Sequence, residues 1–330
     1  MVSRRQVVLT LGAAALAAPF PDFAQQTPPR LFRVGFLSTG GQTPDGLPPG
    51  PLRESLRSEG YVEGRNIAFE ARFADGVADR VPGLAAELVR LKVDVIVTQG
   101  WPATLAAKQA TSNIPIVMAP ATGDAVATEL IASLARPGGN VTGMSDESVA
   151  LSAKRMQLLK EAVPKASVIA ILWNTNDQGM AMRYREIDKA ARMLQVEVQA
   201  YGVHGSDDFA RAFEAMTKRR PDAIFLVSDT LTRANRKRLI EFAASNRIPA
   251  MYEYGYYVRD GGLMSYGPSA DDGFHEAAIY VDRILKGAKP ADLPAQQPTR
   301  YYFTINRATA AALGLTLPSS LLLRADEVIE

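Results

Sequence analysis

The stretch VDVIVTQGWPATLAAKQATSNIPIVMAP, Val93 to Pro120, decides the fold. It opens on an apolar run rich in valine and isoleucine and turns at Gly100-Trp101-Pro102. It continues with helical character, pauses at Ser112-Asn113 and ends on a second apolar run. Short apolar runs bounded by turn residues read as strands covered on both faces, and a helix between two of them makes a parallel β-α-β unit. The same order returns in the other half of the chain, in PDAIFLVSDTLTRANRKRLIEFAASNRIPAMYE, Pro221 to Glu253. There Ser245-Asn246 answers Ser112-Asn113, and Pro249 answers Pro115. Each proline sits at a strand start, where its missing N–H is tolerated. An echo placed in opposite halves implies two lobes of like architecture.

Outward from these segments, LFRVGFL, NIAFEARF, SVIAILW and EVQAYGV read as further strands. Amphipathic segments separate them. In SDDFARAFEAMTKRR, Phe209, Ala212, Phe213 and Met216 recur on one helical face. Ser206 is the expected N-cap, with Asp207 and Asp208 at the positive end of the helix and Lys218 to Arg220 at the negative end. Strands alternating with helices define an α/β class with parallel sheets flanked by helices. The stretch ARPGGNVTGMSDES, Ala135 to Ser148, marks a boundary or crossover between the halves.

The N-terminus, MVSRRQVVLTLGAAALAAPFPDFAQQ, has a basic start, an apolar core and then small residues and prolines. This three-part pattern predicts a signal peptide over residues 1–26. The apolar core, Val7 to Ala18, is short for a membrane span, and an uncleaved anchor is the alternative. Ser3-Arg4-Arg5 matches a twin-arginine signal in part, and cleavage fits either Ala17 or Ala24. The sequence has no cysteine, so an exported product must rest on its core alone; a bacterial periplasm fits. The net charge of +2 gives no field that would draw nucleic acid or an anionic membrane. The clusters KRR at 218–220 and RKR at 236–238 read as solvated charges at helix ends.

The glycine loop GFLSTGGQT, Gly35 to Thr43, invites a nucleotide-binding reading. A phosphate loop needs Gly-Lys-Ser/Thr after its spacer, and Gly41 and Gln42 stand where the lysine and hydroxyl belong. The loop keeps a positional meaning, because open α/β sheets bind ligands at the carboxyl ends of their strands. This makes Ser38 and Thr39 candidates. The two histidines, His204 and His275, are isolated, so no metal site and no catalytic constellation is expected. The other strand ends carry Trp101 to Thr104, Pro120 to Asp124, Trp173 to Asp177, Ser228 to Thr230, Tyr252 to Tyr257, and Ser265 to Gly267. Both tryptophans and five of the eleven tyrosines fall here, which suits recognition of a small organic molecule through ring faces and hydroxyls. Backbone N–H groups after Pro102 and Thr122 could hold a carboxylate without an arginine.

These residues carry a family resemblance. LRSEGYVEGRNIAFEARFADG, SLARPGGNVTGMS, KRMQLLKEAVPKASVIAILWNTND, GGLMSYGPSADDGFHEAAIYVDRILKGAKPADLP and the closing FTINRATAAALGLTLPSSLLLRADEVIE follow one another across nearly all of the chain after the signal. In these segments it resembles the ABC-transporter substrate-binding proteins of the tryptophan/tyrosine-binding type. The resemblance implies a type I periplasmic binding protein fold of two Rossmann-like lobes joined by three crossovers. Lobe 1 would hold residues 31–143 and 266–292, and lobe 2 residues 144–265 and 293–330. It implies a periplasmic, monomeric receptor that uses no cofactor, takes a small ligand in the interlobe cleft by clamshell closure and delivers it to an inner-membrane ABC permease. The implied contacts are Trp101, Pro102, Ala103, Thr104, Thr122, Asp124, Asn174, Asp177, Asp229, Tyr252, Tyr254, Tyr256 and Tyr266; position adds Ser38, Thr39 and Trp173. The chain departs from the family in its opening loop, STGGQTPDGLPPGP, which is longer and rich in glycine and proline. Two other classes stay open: a sensory receptor built on the same clamshell, and an exported α/β enzyme working through Asp124, Asp177, Asp229 or Glu253.

Overall fold

The computed structural model describes residues 30–120, 123–146 and 148–330. The expected signal peptide and the candidate Thr122 lie outside the described residues. The chain builds two sheets. The first holds β1 (Phe32–Ser38), β2 (Ile67–Phe73), β3 (Val95–Gln99), β4 (Ile116–Met118) and β5 (Val141–Gly143), all parallel, in the order β2-β1-β3-β4-β5. The second holds β6 (Val168–Asn174), β7 (Glu197–Val203), β8 (Ala223–Leu226), β9 (Ala250–Tyr252), β10 (Met264–Gly267), β11 (Tyr302–Asn306) and β12 (Glu327–Ile329). Their order is β12-β11-β10-β9-β8-β6-β7.

Side-chain alternation explains why these strands read as unbroken apolar runs. In β3, Val95 and Val97 face one core while Ile96 faces the other. The first core is closed by the helices Gly50–Ser58 and Ala270–Leu285, the second by Val81–Arg90 and Trp101–Ala110. In the second sheet, Ile169 and Ile171 of β6 face the helices Ser148–Ala162 and Gln178–Met193, whereas Ala170 and Leu172 face Asp208–Lys218 and Arg236–Ser245. The two echoing segments thus become parallel units, one in each sheet: β3-helix-β4 and β8-β9, the latter joined by the helices Thr230–Ala234 and Arg236–Ser245.

One pair departs from the parallel expectation. β10 and β11 are antiparallel, with Gly267 opposite Tyr302. The reason is connectivity: the chain leaves β10 to place the helix Ala270–Leu285 on the first sheet. It returns beside the end it left, so β11 must run the opposite way. A second difference is local. Ser206 does not cap the helix Asp208–Lys218; Asp208 turns back to accept the backbone N–H groups of His204 (2.8 Å) and Gly205 (3.1 Å). A carboxylate is the stronger acceptor, and these bonds hold its pKa below the usual value. The expected apolar face is present: Phe209, Ala212 and Met216 are buried, and Phe213 packs against them.

The first sheet ends at a tight point. Gly143 has φ +117°, and a Cβ there would lie 2.5 Å from the Met118 carbonyl oxygen. Both the conformation and the space demand glycine. Gly143→Ala is expected to cost at least about 2 kcal/mol, read as a lower midpoint in urea denaturation. An unchanged midpoint would contradict this packing.

Candidate functional site

β1 and β3 end level, with Ser38 opposite Gln99. The Ser38 hydroxyl donates to Gln99 Oε1 at 3.1 Å and accepts the Gly40 N–H at 3.0 Å, which bends the opening loop across the strand ends. In the second sheet, Asn174 ends β6 and Ser228 to Thr230 follow β8. The two sets of strand ends meet. Thr39 and Thr230 share a hydroxyl-hydroxyl bond across the seam. Gly123 lies so close to Gly179 that a Cβ on it would be 3.3 Å from the Gly179 Cα. Gly100, at φ +91°, packs against Thr39 and Thr230: a Cβ on it would lie 3.0 Å from Thr39 Oγ1 and 3.6 Å from Thr230 Cγ2. The lobes are in contact.

The sequence-derived candidates divide by where their side chains go. Ser38, Thr39, Asn174, Asp177 and Asp229 are buried at the seam. Asn174 donates to Asp229 Oδ2 at 2.6 Å. Asp229 caps the helix Thr230–Ala234 by accepting Thr232 N–H (2.8 Å), and also accepts the Thr232 hydroxyl (2.9 Å). Asp177 caps Gln178–Met193, accepting Met180 N–H at 3.2 Å. Trp101 opens the helix Trp101–Ala110 half-buried, with Pro102 next and its own indole N–H unpartnered among the described residues. Asp124 accepts the N–H groups of Val126 and Ala127, both at 3.0 Å, and shapes its own turn.

Four candidates point elsewhere. Ala103 lies in a core cluster, and Thr104 bonds to Thr98 Oγ1 at 2.8 Å beneath the helix. Trp173 stacks on Tyr184, centroids 4.0 Å apart, on the helix-covered face of β6. Tyr252 is buried against Tyr257 at 4.8 Å. Successive strand residues face opposite ways, so Trp173 enters the core where Asn174 enters the seam. Tyr266 is half-buried against Phe303 and Tyr301.

Tyr254 and Tyr256 form the aromatic wall. Their rings lie parallel, 5.4 Å apart, and Tyr256 stacks in turn on Tyr257 at 4.8 Å. Burial raises both phenols well above their ordinary pKa, so they remain neutral donors. Tyr254 stands where three spaces join. A narrow gap of about 10 Å³ is lined by Gln99, Pro120, Asp229, Thr230, Arg233, Tyr256 and Ala270 besides Tyr254. A cavity of about 380 Å³ opens toward Arg233, Tyr302 and the start of the Ala270–Leu285 helix. Another, of about 230 Å³, opens toward Met144, Asp146, Pro268 and Gln296.

Beneath this wall lies a feature the strand-end reading missed. Arg183 bridges Asp146 (2.9 Å) and Glu253 (3.0 Å), and Arg155 meets Glu253 at 3.1 Å and the Tyr266 carbonyl at 2.5 Å. All four charged side chains are buried. Burial works against the Arg183 charge, but Glu253 and Asp146 outweigh it and keep the guanidinium protonated. Burial likewise raises the Asp146 carboxyl against the pull of Arg183. A signal was present: Arg155 and Arg183 fall on the apolar stripes of their helices, beside Met156 and Leu159, and between Met180 and Ile187. A buried stripe arginine requires buried acids.

His204 and His275 are exposed and bond to Thr175 and Ser55 respectively. Among the described residues no cluster suited to a metal ion occurs, and no helix is long and apolar enough to cross a membrane.

Comparison with known proteins fits this geometry. A family model for ABC transporter substrate binding proteins matches residues 49–329. A tyrosine-binding protein of Clostridioides difficile (strain R20291) is 28% identical over 263 residues, 79% of this chain and 75% of that protein. The structure of an ABC domain in complex with L-Trp from Streptococcus pneumonia is 26% identical, with a TM-score of 0.82 over 90% of this chain and 99% of that one. A conserved domain protein of Vibrio cholerae O1 biovar El Tor is also 26% identical, with a TM-score of 0.81 over 91% and 99%. With these neighbours the chain shares the type I periplasmic binding protein fold.

The seam carboxyls give a pH signature. Burial first, and the Asp229 charge second, push Asp177 from 3.8 up to about 7. Its folded form keeps a proton that the unfolded chain has lost, so this group makes stability fall as pH rises from about 4 to about 7. Asp177→Asn keeps a capping acceptor and removes that loss. Its melting temperature relative to wild type is expected to climb between about pH 4 and pH 8. A difference that stays flat across this range would contradict the assignment.

Proposed function

Because the chain belongs to the ABC transporter substrate-binding protein family, we propose that it is a periplasmic receptor that captures a small aromatic or amino-acid-like ligand for an ABC importer. The carrying observation is the wall of Tyr254 and Tyr256, set between two sheets whose strand ends meet over it. Parallel ring faces with neutral phenols, the hydroxyls of Ser38, Thr39 and Thr230, and the Gln99 amide suit a planar, polar-edged solute. The relatives' recognition of tyrosine and tryptophan points to the same ligand class.

The mechanism is closure. An open form admits the ligand to one lobe; closing adds contacts from the other, so the ligand shifts the population to the closed form. The first lobe is residues 31–143 and 266–292 and the second 144–265 and 293–330, although Tyr266 and Gly267 lie in β10 of the second sheet and Leu293 and Ala295 pack in the first lobe's cores. The closed receptor, a monomer, then docks on a permease driven by a separate ATPase. Residues 1–26 direct export and are removed.

Isothermal titration with L-tyrosine, L-tryptophan and simple aromatic acids tests this reading. One-to-one binding of at least one of them is expected, with Tyr256→Leu weakening it about tenfold through loss of the aromatic wall that supports Tyr254 and Arg233. No heat from any of them would refute the aromatic ligand class.

A further inference from the structure

Three arginines line the 380 Å³ cavity: Arg233, Arg236 and Arg259. Two are committed. Arg236 Nε bonds Asp260 at 2.6 Å, and Arg259 holds Glu327 through two bonds, at 2.7 and 3.1 Å. Arg233 differs. Among the described residues it has no carboxylate partner, and its guanidinium lies over the Tyr256 ring, 5.1 Å from the centroid. It is half-buried and reaches both the cavity and the narrow gap at the seam.

This is an unusual place for an unmatched cation. Attraction to the ring face holds the guanidinium over the wall, and no carboxylate among the described residues takes up its fork of N–H donors. That fork is the geometry for bidentate recognition of a carboxylate. The opposite wall begins the sixteen-residue helix Ala270–Leu285, whose Ser269 cap is occupied by Asp272 N–H. Asp271 also lines the cavity, on the exposed side of that helix.

We propose that Arg233 is the carboxylate anchor of the ligand and that Tyr256 holds it in the receiving orientation. The inference rests on the receptor reading above and deepens it. The ligand is a planar carboxylate, clamped at its anionic end by a side chain on the short helix after β8. It also replaces the expectation that main-chain amides alone hold that end. Thr230 begins the same short helix and touches Thr39, so the anchor sits one turn from the point where the lobes meet. A carboxylate bound at Arg233 would therefore pull on the element that carries the seam contact.

The test uses the full mature protein, with L-tyrosine and L-tyrosinamide as probes in isothermal titration. Wild type is expected to prefer the acid over the amide. Arg233→Gln should weaken the acid by about 30-fold, the loss of a charge-assisted pair, and should leave the amide within about twofold. Arg233→Lys, which keeps charge without the planar fork, should fall between. Unchanged melting would confirm that Arg233→Gln folds. If the acid binds wild type and Arg233→Gln equally well, the anchor is wrong while the receptor reading stands. An equal loss for acid and amide would also overturn it, since that reports altered packing. If wild type binds neither L-tyrosine nor L-tyrosinamide, while L-tryptophan or an aromatic acid binds, the same comparison is made with that ligand and its amide. If none binds, the aromatic reading and the anchor fall together.

Discussion

Four charges buried under the cleft fix the rest of the site. Arg155 and Arg183 project from two helices of the second lobe and share Glu253, at the end of β9. Arg183 also holds Asp146, within the crossover stretch Ala135 to Ser148, and Arg155 holds the Tyr266 carbonyl in β10. Two guanidiniums against two carboxylates leave no net charge. Such a set is balanced only while complete: loss of one member would strand a buried charge at a cost of about 3–5 kcal/mol. The network therefore ties the chain at Asp146 and at Tyr266 to one buried cluster. Gly267 shows how tight the junction is, since a Cβ there would fall 1.9 Å from the Glu253 carbonyl oxygen.

The aromatic wall grows directly from this floor. Glu253 is locked below, and Tyr254 follows it in sequence, so the ring that joins all three spaces is positioned by the buried charges. Tyr256 stacks beside it, and Arg233 stacks on Tyr256. The order from core to solvent is thus ionic network, aromatic wall, then cation. On the proposed reading, specificity lies at the outer end, beside the 380 Å³ cavity, and the pivot at the inner end, in the ionic network.

Much of the fold was legible because strands and helices announce themselves by period. β3 and β8 could be read from valine and isoleucine runs, and the seam from the rule that parallel sheets bind at strand ends. What period cannot give is the facing of a single residue at a turn. Trp173 and Asn174 are neighbours, yet one packs on Tyr184 and the other bonds Asp229. Ala103 and Thr104 belong to the loop sequence, but a helix has already begun at Trp101 and carries them under itself. Arg155 and Arg183 were visible in principle as charges on apolar stripes. Arg233 was not: a helix of five residues is too short to show a stripe, and a stacked arginine looks like any surface cation.

The central claim is that ligand contacts draw two halves together about a fixed pivot. The chain has no cysteine, so labels can be placed at will. Spin labels at Ser58→Cys and Glu214→Cys, exposed positions on opposite lobes, report the interlobe distance by pulsed electron resonance. The account predicts a broad, long distribution for the free protein that narrows and shortens when a bound aromatic ligand saturates it. A distribution that does not change with a ligand shown to bind would contradict it.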